Sequence, residues 1–319
     1  MEKYLNKLIT TNFDRDVVNT IKIDGGWLTK KWKISFVDSS IMVKVIENKK
    51  IEKRNIDIEL AAKLLENLNE QGLKCPSIYR INGNLVSYNN KKNPIIVTEY
   101  IDNTFLKDYT NITKSEIFSL GREIAKMRNC FKNIKHDGFI DYDRFISEIS
   151  KNYIERIEKG KFAKNIKYLQ DVKKQKKIIN SLKKEFFMSL EIGYCHCDLS
   201  QDNILFDNDG FKAIVDFELA SKSFVLRDIA RIFLTFCLDN NGNINTELFK
   251  ELLNGYNTLD NITTEDIVNG IKILWCLEVG IWIKDVYYLI ENPPKVQKFI
   301  YEINWITQNW FNLNEIIKI

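Results

Sequence analysis

The sequence predicts an α+β protein in which a small β-rich N-terminal part precedes a larger, mainly helical C-terminal part. Early in the chain, residues 34–37 and 41–46 are β-rich apolar runs joined by the turn-forming residues 38–40. After Tyr100 the pattern changes to long amphipathic segments, of which residues 115–131 are the first. The chain shows no repeat and no proline-rich linker, so these two parts are the simplest organisation.

Single elements within each part follow from the same patterns. Residues 56–71 place their apolar side chains on one helical face, and Gly72 ends that helix. In the C-terminal part, two short apolar runs at 204–206 and 211–215 flank an Asn-Asp-Gly turn, which predicts a hairpin among the helices.

Charge and composition exclude several classes of protein. The 319 residues include 47 Lys and Arg and 43 Asp and Glu, and a net charge of +4 is too small for a dedicated nucleic-acid binder. No window approaches the roughly 18 apolar residues of a membrane-spanning helix, and the N-terminal segment lacks a secretory signal. The six cysteines are scattered, often within apolar runs, as reduced and buried thiols usually are. We therefore expect a cytoplasmic protein with neither a nucleic acid nor a membrane as its partner.

The most informative stretch is His-Cys-Asp-Leu-Ser-Gln-Asp-Asn at residues 196–203, followed by Ile-Val-Asp-Phe-Glu at 214–218. Phosphoryl transfer needs a carboxylate to orient a hydroxyl and accept its proton, together with hard oxygen ligands for magnesium. Asp198 fits the first role, whereas Asn203 and Asp216 fit the second. The alternative is purely structural, with the acids as helix caps and the amide in a turn.

These residues resemble the aminoglycoside phosphotransferase and choline kinase-like superfamily, whose catalytic loop reads H-x-D-x-x-x-x-N and whose metal-binding strand ends in D-F or D-W. The Arg-Asp-Ile-Ala stretch at 227–230 is similar to the next element of that superfamily. The resemblance implies a two-lobed, protein-kinase-like fold with a nucleotide-binding lobe at 1–98, a hinge at 99–102 and a catalytic lobe at 103–319. It also implies ATP or GTP as phosphoryl donor and Mg²⁺ as cofactor.

The resemblance further requires a lysine for the nucleotide phosphates and a glutamate that holds this lysine. Lys44 is the one charged residue in the apolar run 41–46, a costly position unless its charge is paired. An exposed edge strand is the alternative explanation. Glu59 at the start of the following helix is the predicted partner, with Glu52 and Asp57 as competitors.

Main-chain contacts to the nucleotide are also implied by the resemblance. Gly25 and Gly26 are similar to the paired glycines that open the nucleotide loop of the family, although such a pair is also common in ordinary turns. Glu99 and Ile101 match the hinge positions whose backbone carbonyl and N–H bond adenine. No G-x-x-x-x-G-K-[ST] motif occurs, so a P-loop NTPase is unsupported.

The acceptor is the least constrained part of the prediction. At helical spacing, one face gathers two indoles and two carboxylates, those of Trp275, Glu278, Trp282 and Asp285. Aromatic rings with carboxylates suit a cationic amine, but tryptophans that pack the helix onto its neighbours explain the same pattern.

The sequence thus predicts an ATP-dependent phosphotransferase acting on a hydroxyl of a small molecule, and its oligomeric state stays open. An aminoglycoside or amino alcohol is favoured over a neutral metabolite acceptor of the homoserine, methylthioribose or hexosamine type. A catalytically silent binding protein of the same fold is the alternative from another class. The presence of every expected catalytic and magnesium-binding residue speaks against it.

Overall fold

The computed structural model of the chain describes residues 1–24, 29–135, 141–158, 166–282 and 293–318. The chain divides into two compact units that are described separately below. The first unit comprises Met1–Lys107, Asn129–Asn133 and His196–Ser221. The second comprises Asp108–Arg128, Ile134–Cys195 and Lys222–Ile319.

An antiparallel sheet is the main feature of the first unit. Its strands are β1 (Asn19–Ile23), β2 (Thr29–Ser35), β3 (Ser40–Ile46), β4 (Ile78–Tyr79), β5 (Ser87–Tyr88) and β6 (Pro94–Glu99). They are ordered β1-β2-β3-β6-β4, and β5 also pairs with β6. The helices of this region are α1 (Glu2–Phe13), α2 (Asn48–Arg54) and α3 (Ile58–Glu70).

The two faces of this sheet have different surroundings because side chains alternate along a strand. On one face, Ile41 and Val43 of β3 join an apolar cluster with Leu5 of α1 and Trp32 of β2. On the other face, Ile46 packs in a second cluster with residues of α3. Lys44 is two residues from Ile46, so its side chain lies on this second face.

The segment that carries the predicted catalytic motif is grouped with the first unit. It contains the hairpin of β8 (Ile204–Asp207) and β9 (Gly210–Ile214) and the short 3-10 turns Gln201–Asn203 and Phe217–Leu219. Backbone hydrogen bonds join Phe206 to Phe105 in both directions, and the Ile214 N–H donates to the Lys74 carbonyl at 2.9 Å. These hydrogen bonds join the segment to residues of the first unit.

The second unit is mainly helical, which confirms the expected class of fold. It holds most of α4 (Lys114–Lys132) and the helices α5 (Tyr142–Glu158), α6 (Ile166–Ser181), α7 (Lys184–Met188), α8 (Leu226–Phe236), α9 (Thr246–Tyr256), α10 (Thr264–Trp282), α11 (Pro294–Asn309) and α12 (Leu313–Ile316). A small sheet pairs β7 (Ile192–Cys195) with β10 (Ser221–Phe224). Within the described ranges, no helix is both long and apolar enough to cross a bilayer.

Two glycines allow α4 and α9 to approach each other closely. A Cβ atom at Gly255 would lie 2.0 Å from the carbonyl oxygen of Phe118. A Cβ atom at Gly121 would lie 2.3 Å from the carbonyl oxygen of Leu252. Both obstacles are backbone atoms, so neither can be relieved by turning a side chain.

We predict that Gly255→Ala lowers the free energy of unfolding by about 1–3 kcal/mol, the usual cost of overpacking. Alanine ordinarily stabilises a helix relative to glycine by about 1 kcal/mol, so a loss of stability identifies steric crowding. The control is Asn254→Ala at the preceding, exposed position, with an expected change within about 0.5 kcal/mol. Urea titrations measure both, and a Gly255→Ala protein as stable as the parent contradicts the close packing.

Candidate active site

His196 fixes the conformation of the predicted catalytic loop. Its ring is fully buried, and its Nδ1 accepts a hydrogen bond from the Asp198 backbone N–H at 3.2 Å. The ring proton therefore lies on Nε2, which donates to the Val215 carbonyl at 2.9 Å. Because Val215 precedes Asp216, one imidazole ties the loop of Asp198 to the chain that carries the second acid.

Asn203 connects the same two segments by different bonds. Its Nδ2 donates to the Asp198 carbonyl at 2.7 Å and to the Asp198 carboxylate at 3.1 Å. Its own carbonyl accepts the Val215 N–H at 2.9 Å. The predicted base Asp198 and the predicted metal ligand Asn203 are therefore in direct contact. Asn203 also bonds Val215, the residue before the other predicted metal ligand, Asp216.

Backbone strain occurs at two positions of this site. Cys197 and Asp216 have φ angles of 67° and 69°, in the left-handed region that non-glycine residues rarely occupy. Such conformations persist where the surrounding contacts hold them, and they concentrate at functional sites. Cys197 precedes Asp198 and Asp216 follows Val215, and the backbones of Asp198 and Val215 are both bonded to the His196 ring.

Asp216 is the centre of a cluster of four charged side chains. Its Oδ1 accepts from the Lys44 Nζ and its Oδ2 from the Lys31 Nζ, each at 2.5 Å. The Lys44 Nζ also donates to Glu218 Oε1 at 2.5 Å. Two ammonium groups and two carboxylates thus meet in a region where the Lys44 and Glu218 side chains are 7% and 8% exposed.

Burial and pairing act in opposite directions on the pKa values of this cluster. Burial alone would lower the pKa of Lys44, but the charges of Asp216 and Glu218 outweigh it and raise that pKa above its usual value. Burial alone would raise the pKa of Asp216, yet Lys44 and Lys31 hold it well below its ordinary range. Lys44 is therefore a cation and Asp216 an anion at neutral pH.

Glu59, the predicted partner of Lys44, has a different contact in the structure. Its exposed carboxylate accepts a hydrogen bond from the Tyr88 hydroxyl at 2.9 Å. The apolar neighbours of Glu59 on α3 face the core, so its own side chain points away from it. Among the competitors, Asp57 caps α3 through the Leu60 N–H and Glu52 is exposed. The carboxylate that accompanies Asp216 on Lys44 belongs to Glu218.

Lys31 and Glu218 were not among the predicted site residues. Glu218 stands two positions after Asp216 in the quoted motif, so its proximity to the site was readable from the sequence. Lys31 is harder to find, because its place depends on the register in which β2 pairs with β3. The turn lies at residues 36–39, where the Phe36 N–H donates to the Ser39 carbonyl, and not at the predicted 38–40; this register sets Lys31 opposite Lys44.

The predicted main-chain contacts of the nucleotide remain predictions. Gly25 and Gly26 lie outside the described residues. Glu99 is the last residue of β6, and its carboxylate accepts from the backbone N–H and hydroxyl of Ser77 at 3.2 Å each. Ile101 follows two positions later in irregular chain.

The predicted acceptor face belongs to the second unit. Trp275 is fully buried, and its Nε1 donates to Thr307 Oγ1 at 2.9 Å. Both oxygens of Glu278 accept from Arg231 at 2.7 Å, and the Trp282 Nε1 also donates to Glu278 at 3.0 Å. Asp285 lies outside the described residues. The indoles and Glu278 are thus held by contacts within the protein.

Known structures resemble the chain over almost its whole length. Choline kinase LicA from Streptococcus pneumoniae superposes with a TM-score of 0.62 at 17% identity, covering 99% of each chain. Amicoumacin kinase hAmiN in complex with AMP-PNP, Ca²⁺ and Ami gives a TM-score of 0.66 at 11% identity, covering 98% of this chain and 94% of that one. At these identities the likeness shows the fold, and it confirms the protein-kinase-like class.

Sequence comparison supplies the family. The homoserine kinase of Sinorhizobium medicae (strain WSM419) is 23% identical over 219 residues, which are 66% of this chain and 62% of that protein. The chain therefore matches less than two thirds of the length of this curated relative. The family model of APH, the phosphotransferase enzyme family, matches residues 20–261, well over half of the chain. The chain belongs to the APH phosphotransferase enzyme family.

Proposed function

We propose that this protein transfers the γ-phosphoryl group of ATP to a hydroxyl of a small molecule in the cytoplasm, with Mg²⁺ as cofactor. The contact of Asp198 with Asn203, next to an Asp216 that is paired with Lys44, carries this proposal. It gathers a base, two oxygen ligands and a phosphate-binding cation within one compact unit. Membership of a phosphotransferase family and the AMP-PNP and Ca²⁺ bound by hAmiN support it.

The side chains present fit a magnesium ion. Both hydrogen bonds of the Asn203 side chain described above use Nδ2, which leaves its Oδ1 as the ligand atom. Asp216 supplies a carboxylate that attracts cations, as its two lysine contacts demonstrate. Two protein oxygens suit Mg²⁺, which typically completes its coordination with phosphate oxygens and water. When bound, the ion neutralises charge on the phosphates.

Asp198 is the proposed catalytic base. Its carboxylate is held by the Asn203 amide, so it is oriented before an acceptor binds. An acceptor hydroxyl that donates to the Asp198 carboxylate would direct its oxygen at the γ-phosphorus. It would lose its proton to Asp198 as its oxygen bonds to phosphorus, while the bond from phosphorus to the bridging oxygen breaks and ADP leaves. Lys44, held by Glu218, binds phosphate oxygens of the nucleotide.

The acceptor that we propose carries a positively charged nitrogen, as an amine or a quaternary ammonium group, as well as a hydroxyl. Choline and homoserine, after which two of the similar kinases above are named, share a positively charged nitrogen. An amino alcohol or aminoglycoside is the first candidate, in keeping with the choline and amicoumacin kinases of the same fold. A hydroxy amino acid of the homoserine type is the second, and the homoserine kinase relative favours it.

The charges around Glu278 favour a structural role for that residue over a contact with the amine. Arg231 lies between Glu278 and Glu302, with its second nitrogen 2.5 Å from Glu302. Burial alone would lower the pKa of Arg231, but the two carboxylates outweigh it and raise that pKa, so the guanidinium stays charged. Because Glu278 already accepts two hydrogen bonds from Arg231 and one from Trp282, it gives no support for a cationic acceptor at this position.

The first prediction for this function concerns Asp198→Asn. We expect kcat to fall about 10²- to 10⁴-fold because the acceptor loses its base, while the Kd for ATP with Mg²⁺ changes less than about twofold. ADP release and calorimetry measure the two quantities. The matched control is Asp202→Asn, an exposed acid of the same loop, which should keep parental kcat. Parental turnover in Asp198→Asn contradicts the base assignment.

The second prediction separates the candidate acceptors. The protein is incubated with ATP, Mg²⁺ and one acceptor at a time, and ³¹P spectra are recorded for choline, ethanolamine, aminoglycosides, homoserine, methylthioribose and hexosamines. We expect a phosphomonoester with an acceptor that carries a positively charged nitrogen. A product formed only with methylthioribose contradicts the requirement for a positively charged nitrogen. ATP hydrolysis with no phosphorylated acceptor shows that none of the compounds tested is the acceptor.

The third prediction tests the role of the Arg231 network. We expect Arg231→Met to lower the free energy of unfolding by about 3–5 kcal/mol, because it removes the guanidinium that pairs with the part-buried Glu278 and the buried Glu302 and leaves Glu302 only the more distant Lys298, at 3.8 Å. Arg144→Met, which breaks the exposed pair with Glu148, should cost about 0.5 kcal/mol or less. Glu278→Gln should also lower the melting temperature and leave the acceptor KM unchanged. An increased acceptor KM at unchanged melting temperature would assign Glu278 to the acceptor.

A further inference from the structure

Two lysines stand directly opposite each other on neighbouring strands of the first unit. In the antiparallel register of β2 and β3, Lys31 pairs with Lys44, so both side chains project from the same face of the sheet. Like charges in this arrangement repel and destabilise the pair of strands. Asp216 offsets the repulsion, because each of its oxygens accepts one ammonium group at 2.5 Å.

The other lysines of β2 have carboxylate partners away from this cluster. Lys30 pairs with Glu47 at 2.8 Å, and Lys33 pairs with Asp102 at 2.5 Å. Lys31 differs because its carboxylate is the one proposed above to bind a divalent cation. Its side chain is 16% exposed, whereas that of Lys30 is 55% exposed. Lys31 therefore faces the site, and Lys30 faces solvent.

The charge balance at Asp216 has a consequence for Lys31. Without a nucleotide, the two positive lysines match the two negative side chains of Asp216 and Glu218. A divalent cation at Asp216 adds two positive charges and competes for the same oxygens that hold the lysines. Lys44 keeps Glu218 as a partner, but the contact of Lys31 is with Asp216 itself. The incoming polyphosphate supplies the anion that restores the balance.

We propose that Lys31 is a second phosphate-binding lysine, which holds Asp216 when the nucleotide is absent and transfers to the nucleotide phosphates when a divalent cation takes its place on Asp216. This inference rests on the proposed function, since it assumes that ATP with Mg²⁺ binds beside Asp216. It assigns Lys31 a role distinct from that of Lys44, which stays anchored to Glu218 while it contacts phosphate. Until the nucleotide binds, the positive charge of Lys31 also offsets the negative charge of Asp216.

The test compares ATP binding in the presence of Mg²⁺ by calorimetry for the parent protein, Lys31→Met and Lys30→Met. Loss of a charge-assisted contact to phosphate should weaken ATP binding by Lys31→Met about 10- to 100-fold. Lys30→Met removes the adjacent lysine on the opposite face of the strand, and it should bind ATP within about twofold of the parent. Lys31→Arg keeps the positive charge and should recover most of the affinity.

Lys31→Gln is the control that separates a folding defect from a loss of ATP binding, since the glutamine amide can still donate to Asp216. It should unfold at the parental temperature and still show the weakened ATP binding. Equal ATP affinity in the parent, Lys31→Gln and Lys31→Met overturns the role of Lys31 and leaves the proposed kinase function intact. A parent protein that binds no ATP overturns the proposed function, and this inference with it.

Discussion

The ion cluster centred on Asp216 is the interaction on which the first unit depends. Placing charged groups where they are largely removed from water costs several kcal/mol per ion unless each finds a partner. Lys31 of β2, Lys44 of β3 and Glu218 each form such a pair. The sheet and the segment after β9 therefore have to come together for any of these charges to be satisfied. The residues that hold the sheet against this segment are thus the residues of the candidate site.

His196 and Asn203 extend this constraint to the base. Both are buried, and both bond the backbone of Asp198 or of Val215. As a result, Asp198 is positioned by hydrogen bonds that do not depend on a bound ligand. Preorganisation of this kind reduces the cost of orienting a base during the reaction. The strained backbone at Cys197 and Asp216 is held in place by the same contacts.

The sequence was informative where chemistry depends on short spacing. Asp198 and Asn203 are five residues apart, and the structure brings them into contact. Lys44 was identifiable because a charge within an apolar strand requires a partner, and it has two. Its partner was predicted on α3, but the direction of a side chain in the first turn of a helix depends on packing. Glu59 points outward and contacts Tyr88, while Glu218, which is distant in sequence, accepts the bond.

Long-range partners explain the other difference. Helical spacing places Trp275, Glu278 and Trp282 on one face, and the structure shows Trp282 bonded to Glu278. The sequence offered no means of knowing that Arg231, 47 residues before Glu278, would neutralise it. Local patterns report which residues share a face, but tertiary contacts decide whether that face binds a ligand or the protein itself.

In the proposed function, Asp216 holds a divalent cation together with a nucleotide. Water-proton relaxation in a titration of Mn²⁺ and ATP detects such a ternary complex directly. We expect a strong enhancement with the parent protein and its loss with Asp216→Asn, which keeps the size of the side chain but removes its charge. An undiminished enhancement with Asp216→Asn would contradict the role of Asp216 as a cation ligand.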